Sequence, residues 1–134
     1  MVTDQFDTEA IVAFWRDEAE DALRVADHLM ENADHSYALF FGHLAVEKVL
    51  KAVFVARKRE HPPPIHNLVR LARGAGIEIE ERRLEALVAI TAFNLEARYP
   101  DLKRSFRLRC TPEYTQQQMV AVKEVFGWLT SLLA

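Results

Sequence analysis

One stretch constrains the fold more than any other: from Ser36 to Lys58 the chain would be apolar almost all the way round a helix. Tyr37, Leu39, Phe40, Phe41, Leu44, Val46, Val49, Leu50, Val53, Phe54 and Val55 leave no broad polar face, so other elements must cover such a helix on most sides. At ~100° per residue, Ser36, His43, Glu47, Lys51 and Lys58 share one narrow polar stripe. Two readings of the stripe stand open. It is either the helix's one exposed edge, with Glu47 and Lys51 as an ordinary four-residue ion pair, or the wall of a groove where His43, Glu47 and Lys51 bond one another and an anion. So much apolar surface also leads us to expect self-association.

The rest of the chain supplies the cover. Its four glycines and five prolines cluster where the apolar pattern breaks. A first helix, capped by Asp7 or Thr8, is expected to run to about Asn32 with Ile11, Phe14, Trp15, Ala22, Val25, Ala26 and Leu29 recurring at three- and four-residue steps. The apolar helix starts at Asp34 or Ser36 and ends at Lys58, before the His61-Pro62-Pro63-Pro64 break. Asn67 to Arg73 reads as a short helix stopped by Gly74 and Gly76. Another runs from Glu80 to Ala97, closed by Arg98-Tyr99-Pro100, and a last one starts at Pro112 or Glu113. No segment alternates long enough for a strand. The expectation is an all-α, antiparallel up-and-down bundle of four long helices and one short one, as a single domain over residues 1–134.

Composition narrows the setting. With half its residues apolar, the chain can offset ordering entropy by burial. A lone cysteine, Cys110, rules out an intrachain disulfide and paired-cysteine metal motifs. No apolar run approaches the ~20 residues of a membrane span, and Met1 to Glu9 is acidic where a secretory leader is basic. A cytoplasmic protein is expected. The net charge of −3 conceals segregation: residues 1–34 carry ten acids and two bases, residues 48–73 seven bases and one acid, and residues 98–109 five bases and one acid. If the two basic segments converge in space they form an anion site; if not, they are solvated faces.

For chemistry near neutral pH, His43 and His66 are the candidate acid–base groups, whereas His28 and His35 look like surface positions and His61 a loop residue. His66 could equally cap the short helix after Pro64. Arg98 and Asp101, on either side of Pro100, either hold phosphate or pair to fix the turn. No histidine or cysteine spacing suits zinc, and Walker-type and dinucleotide glycine motifs are absent, so no metal or cofactor is expected. Tyr114, Phe106 and the aromatics of the second helix read as core.

Three blocks in order, His43-Leu44-Ala45-Val46-Glu47-Lys48-Val49-Leu50-Lys51-Ala52, Pro62-Pro63-Pro64-Ile65-His66-Asn67-Leu68 and Ala97-Arg98-Tyr99-Pro100-Asp101, resemble the HEPN family of small prokaryotic helical proteins over residues 12 to 131. The resemblance implies a helical bundle that often forms a homodimer and is commonly encoded beside a minimal nucleotidyltransferase, in pairs similar to toxin–antitoxin modules. It makes His43, Glu47, Lys51, His66, Arg98 and Asp101 the candidates for binding a nucleotide or another anion such as RNA. Some members are metal-independent ribonucleases with four to six residues between an Arg and a His. No histidine follows Arg98 at that spacing, and Arg59 and His66 match it only across the triple-proline loop. Tyr99, beside Arg98, matches a tyrosine that the nucleotidyltransferase modifies in related pairs, though without the accompanying histidine. Three functions follow: a non-catalytic partner or nucleotide-binding subunit of a nucleotidyltransferase, which we favour, a ribonuclease toxin with a variant site, or a structural dimeric helper.

Overall fold

Helix-stopping residues and capping side chains set the boundaries of the architecture. The computed structural model describes residues 6–133. They form α1 (Thr8–Glu31), α2 (His35–Lys58), α3 (Leu68–Gly74), α4 (Glu81–Arg98), α5 (Pro100–Arg109) and α6 (Pro112–Ser131), with no strand among them. Residues 1–5, which hold the start of the acidic opening, and residue 134 lie outside the described residues.

The caps follow from short polar side chains at the right places. Asp7 accepts from the Ala10 N–H (3.1 Å), Asn67 from the Arg70 N–H (3.0 Å) and Thr111 from the Tyr114 N–H (3.2 Å), each satisfying a donor that its helix leaves open. α2 ends differently: Arg59 turns into the left-handed region at φ 58°, its N–H still bonded to the Val55 carbonyl, before the triple proline.

α2 packs against each of the other five helices, which is why its sequence has no broad polar face. Its partner on one side is α1, running antiparallel to it. Phe6 meets His61, Trp15 meets Lys51, and Glu18 pairs with Lys48, so contacts descend one helix as they climb the other. On another side α6 approaches so closely that a Cβ added at Gly42 would lie 3.3 Å from both γ-carbons of Val122. Leu39, Val46, Val49 and Leu50 of α2 are fully buried in a core with Leu68 and Leu71 of α3, Leu87 of α4, Phe106 of α5 and Val122 and Leu129 of α6.

The helix count departs from the sequence expectation. Four long helices are present, but there are two short ones, because the basic segment after Tyr99 is itself the helix α5. Pro100, read as a terminator, ends α4 and at once occupies the first turn of α5, where its missing N–H costs nothing. Phe106, the one buried residue of α5, stacks on Phe93 of α4 at 5.9 Å between centroids and folds α5 back along the bundle. No helix among the described residues is long and apolar enough to cross a membrane.

Candidate functional site

The polar stripe of α2 is not a solvent edge: its three central members, His43, Glu47 and Lys51, are 0, 4 and 8% exposed. They point at the loop between α2 and α3. Glu47 uses both carboxylate oxygens, Oε1 accepting from His66 Nδ1 at 2.9 Å and Oε2 from Lys51 Nζ at 3.0 Å. The Lys51 ammonium also lies 5.1 Å from the centre of the Trp15 ring, a cation–π contact from α1. His43 reaches the same loop through its backbone, with Nε2 donating to the His66 carbonyl at 3.1 Å. His43 Nδ1 is buried without a partner, and burial pushes the imidazole pKa below its ordinary value, so the ring is neutral near pH 7. At 3.8 Å from Glu47 it therefore makes neither a hydrogen bond nor an ion pair.

The product of these contacts is a fixed His66. Its backbone is held by His43 and its ring by Glu47, yet the side chain stays 52% exposed. With Nδ1 engaged, Nε2 is the free nitrogen of a ring that lines an open cleft of about 390 Å³, shared with Asn67, Thr91, Asn94, Leu95, Arg98 and Tyr99. An imidazole oriented by a carboxylate, an arginine, two amides and a hydroxyphenyl ring can bind a phosphate ester and hold or move a proton at Nε2.

Of the six candidates, His66 and Arg98 line this cleft, while Glu47 and His43 brace it from within and Lys51 neutralises Glu47. Asp101 stands exposed in the first turn of α5, outside the cleft lining, and no Arg98–Asp101 ion pair forms among the described residues. His66 does not cap α3, a role taken by Asn67. The two basic segments approach each other only at their ends, through Arg70 and Arg73 of one and Arg98 of the other, while Lys103 and Arg107 lie at Tyr37, Arg109 pairs with Glu96 and Lys48 with Glu18. Arg70 and Arg73 line a second cavity of about 380 Å³ that shares Asn67 and Thr91 with the Arg98 cleft. The larger concavity at Glu78, Glu80, Arg83 and Trp128 contains no histidine.

Sequence reasoning missed Asn94, 6% exposed and facing the cleft with no hydrogen-bond partner for its amide among the described residues. Its signal was one residue wide: a polar side chain one turn before Arg98 on the same helix face. It also misjudged Tyr37, which is not core. The ring is 39% exposed, its hydroxyl accepts from Arg107 at 3.1 Å, and Lys103 lies over its face at 5.5 Å. No cluster of three metal-ligating side chains forms among the described residues.

A family model described as the HEPN domain matches residues 12–132. The fold is similar to that in the crystal structure of TT1696 from Thermus thermophilus, with a TM-score of 0.77 at 19% identity, covering 90% of this chain and 97% of that one. No curated protein sequence matches the chain.

Proposed function

Given that the chain belongs to the HEPN domain family, we propose that it is the nucleotide-binding partner subunit of a minimal nucleotidyltransferase, in a module of the toxin–antitoxin type, acting as a homodimer. The observation that supports this most is the cleft itself. Arg98 and a rigidly held His66 line one opening beside the unpartnered Asn94, and two further arginines line the adjoining cavity. That set suits an anionic ligand with a polar head, such as a nucleotide phosphate with its base. Arg98 would hold the phosphate and Asn67 add an amide donor, while Glu47 and His43 keep the His66 ring from turning away.

The test is to purify the tagged chain at native expression from its source cells, weigh the eluted complex and identify what accompanies it. A nucleotidyltransferase at fixed stoichiometry is the expected result; a chain that elutes without one overturns the partner-subunit reading.

The Glu47–His66 contact favours a second reading, a metal-independent ribonuclease. A carboxylate-oriented imidazole with Nε2 free can take a proton from a ribose 2′-hydroxyl while Arg98 faces the phosphate. On this reading the purified chain cleaves RNA and His66→Ala abolishes cleavage; an intact RNA substrate at the end of the incubation removes it.

A further inference from the structure

We propose that Asn94 reads the base of the bound nucleotide and makes the cleft selective for adenine. The inference rests on the reading that the cleft takes a nucleotide phosphate, and it adds which nucleotide.

Asn94 is the cleft residue whose side-chain amide is left for a ligand. It sits in the last third of α4 between Phe93, which is core, and Leu95, which is exposed. The residue as a whole is 6% exposed, its side chain lines the cleft, and no side-chain hydrogen bond ties up its amide among the described residues. It offers an incoming ligand one carbonyl acceptor and an NH₂ donor, side by side in one plane.

Adenine carries the matching edge, an exocyclic amino donor next to a ring-nitrogen acceptor, and the paired contact is the usual one between an asparagine and adenine. Guanine fits less well. Its Watson–Crick edge has two neighbouring donors and is matched by a carboxylate, and none of the seven residues lining the cleft is acidic. With Asn94 opposite it, guanine would keep an amino group without an acceptor in a half-enclosed site, which is costly. Uracil and cytosine can pair with an amide but present a smaller ring to Tyr99, which is 55% exposed and lines the same cleft.

The placement suits one mononucleotide. Asn94 and Arg98 are four residues apart on α4, so their side chains leave the helix one turn apart on a common face. The short amide meets the base, the long guanidinium arm meets the phosphate, and the exposed Tyr99 ring and Leu95 offer apolar surface alongside.

The test is isothermal titration of the purified full-length chain with AMP, GMP, CMP, purine riboside 5′-monophosphate and inorganic phosphate. The ligand series decides the matter without any variant. AMP is expected to bind at least about tenfold more tightly than GMP, CMP and the purine analogue that lacks the amino group. Asn94→Leu is expected to bring AMP down to the level of GMP. Equal affinity for AMP, GMP and CMP overturns the adenine assignment and leaves the nucleotide reading standing, whereas an AMP preference that survives in a folded Asn94→Leu variant overturns Asn94 as the residue that reads the base. Binding of inorganic phosphate as tightly as AMP also overturns it. If none of the nucleotides binds, the nucleotide reading falls as well.

Discussion

The His43 imidazole, buried in the middle of α2, donates from Nε2 to the backbone carbonyl of His66 at 3.1 Å, so a core side chain fixes the backbone position of the cleft's own histidine. Glu47, one turn further along α2, fixes the ring of the same residue at 2.9 Å. Two consecutive turns of the most buried helix thus hold one exposed imidazole by its two ends. That arrangement explains why a helix otherwise apolar all round carries a polar stripe. The stripe is internal scaffolding for the loop that follows the triple proline.

His43 makes stability depend on pH in a definite window. Burial lowers its pKa below the ordinary 6.5, and the groups facing the ring are Glu47, Lys51 and the His66 backbone. Below about pH 6.5 the unfolded chain takes up a proton that the folded chain refuses, so stability is full above that value and lost as pH falls toward the folded pKa. Urea unfolding at a series of pH values from about 7.5 to about 5.5 should show stability falling by at most about 1.4 kcal/mol per pH unit from this group. His43→Gln should flatten the slope over that range. An unchanged slope in the variant would assign the dependence to other groups.

The Glu47–Lys51 pair is worth more to the fold than a surface pair at the same spacing. Both side chains are nearly buried, at 5% and 10% exposed, and removing one charge strands the other. Glu47→Gln alone is expected to cost about 3 kcal/mol, whereas adding Lys51→Met should recover part of that loss because no unpaired charge remains. A double-mutant cycle on unfolding midpoints measures the coupling. Simple additivity of the two single losses would show that the pair is solvated after all.

How much of this was legible depended on whether local pattern or tertiary contact decided each feature. Boundaries set by Asp7, Asn67, Pro112 and the triple proline could be read because capping and helix breaking act within a few residues. α5 could not, since nine of its ten residues avoid full burial and leave no apolar stripe, while Pro100 serves one helix as a stop and the next as a start. The stripe of His43, Glu47 and Lys51 was visible as a pattern. Its burial was not, because what covers it is a loop whose position depends on the fold of α3. Asn94 and Thr91 look like solvent positions in sequence, and only the return of the loop beside α4 makes them part of a cleft.

If Asn94 serves a ligand as proposed, replacing it should spare stability. The amide lines the open cleft and makes no side-chain hydrogen bond among the described residues, so an apolar side chain of similar size breaks no protein contact and strands no buried polar group. Asn94→Leu is therefore expected to be at least as stable as the parent by thermal unfolding. A loss of more than about 1 kcal/mol would mean the amide has a structural partner.

Arg98 and Asp101 should separate although Pro100 brings them close in sequence. Only Arg98 lines the cleft; Asp101 is an exposed first-turn acid of α5 that suits the helix dipole. Arg98→Ala is expected to weaken nucleotide binding at least about tenfold through loss of a charge-assisted contact, with little change in melting temperature. Asp101→Ala should leave binding unchanged and lower stability by no more than about 0.5 kcal/mol. Equal effects of the two substitutions on binding would place the phosphate at the turn instead of in the cleft.

Tyr37 offers a spectroscopic readout of how α5 sits on the N-terminal end of α2. Its phenol pKa is lowered from 10.0, first by the hydrogen bond from Arg107 and then by Lys103, both of α5. The cause is direct: a guanidinium donor and a nearby ammonium favour the phenolate over the phenol. In an ultraviolet pH titration, the chain should therefore show one tyrosine ionising earlier than a free phenol. Arg107→Gln removes the larger cause and should move that transition back toward higher pH, with Lys103→Gln giving a smaller shift in the same direction. If neither substitution moves the early transition, α5 does not hold its basic residues against Tyr37 in solution, and the packing of this helix, which Phe106 alone anchors in the core, would have to be redrawn.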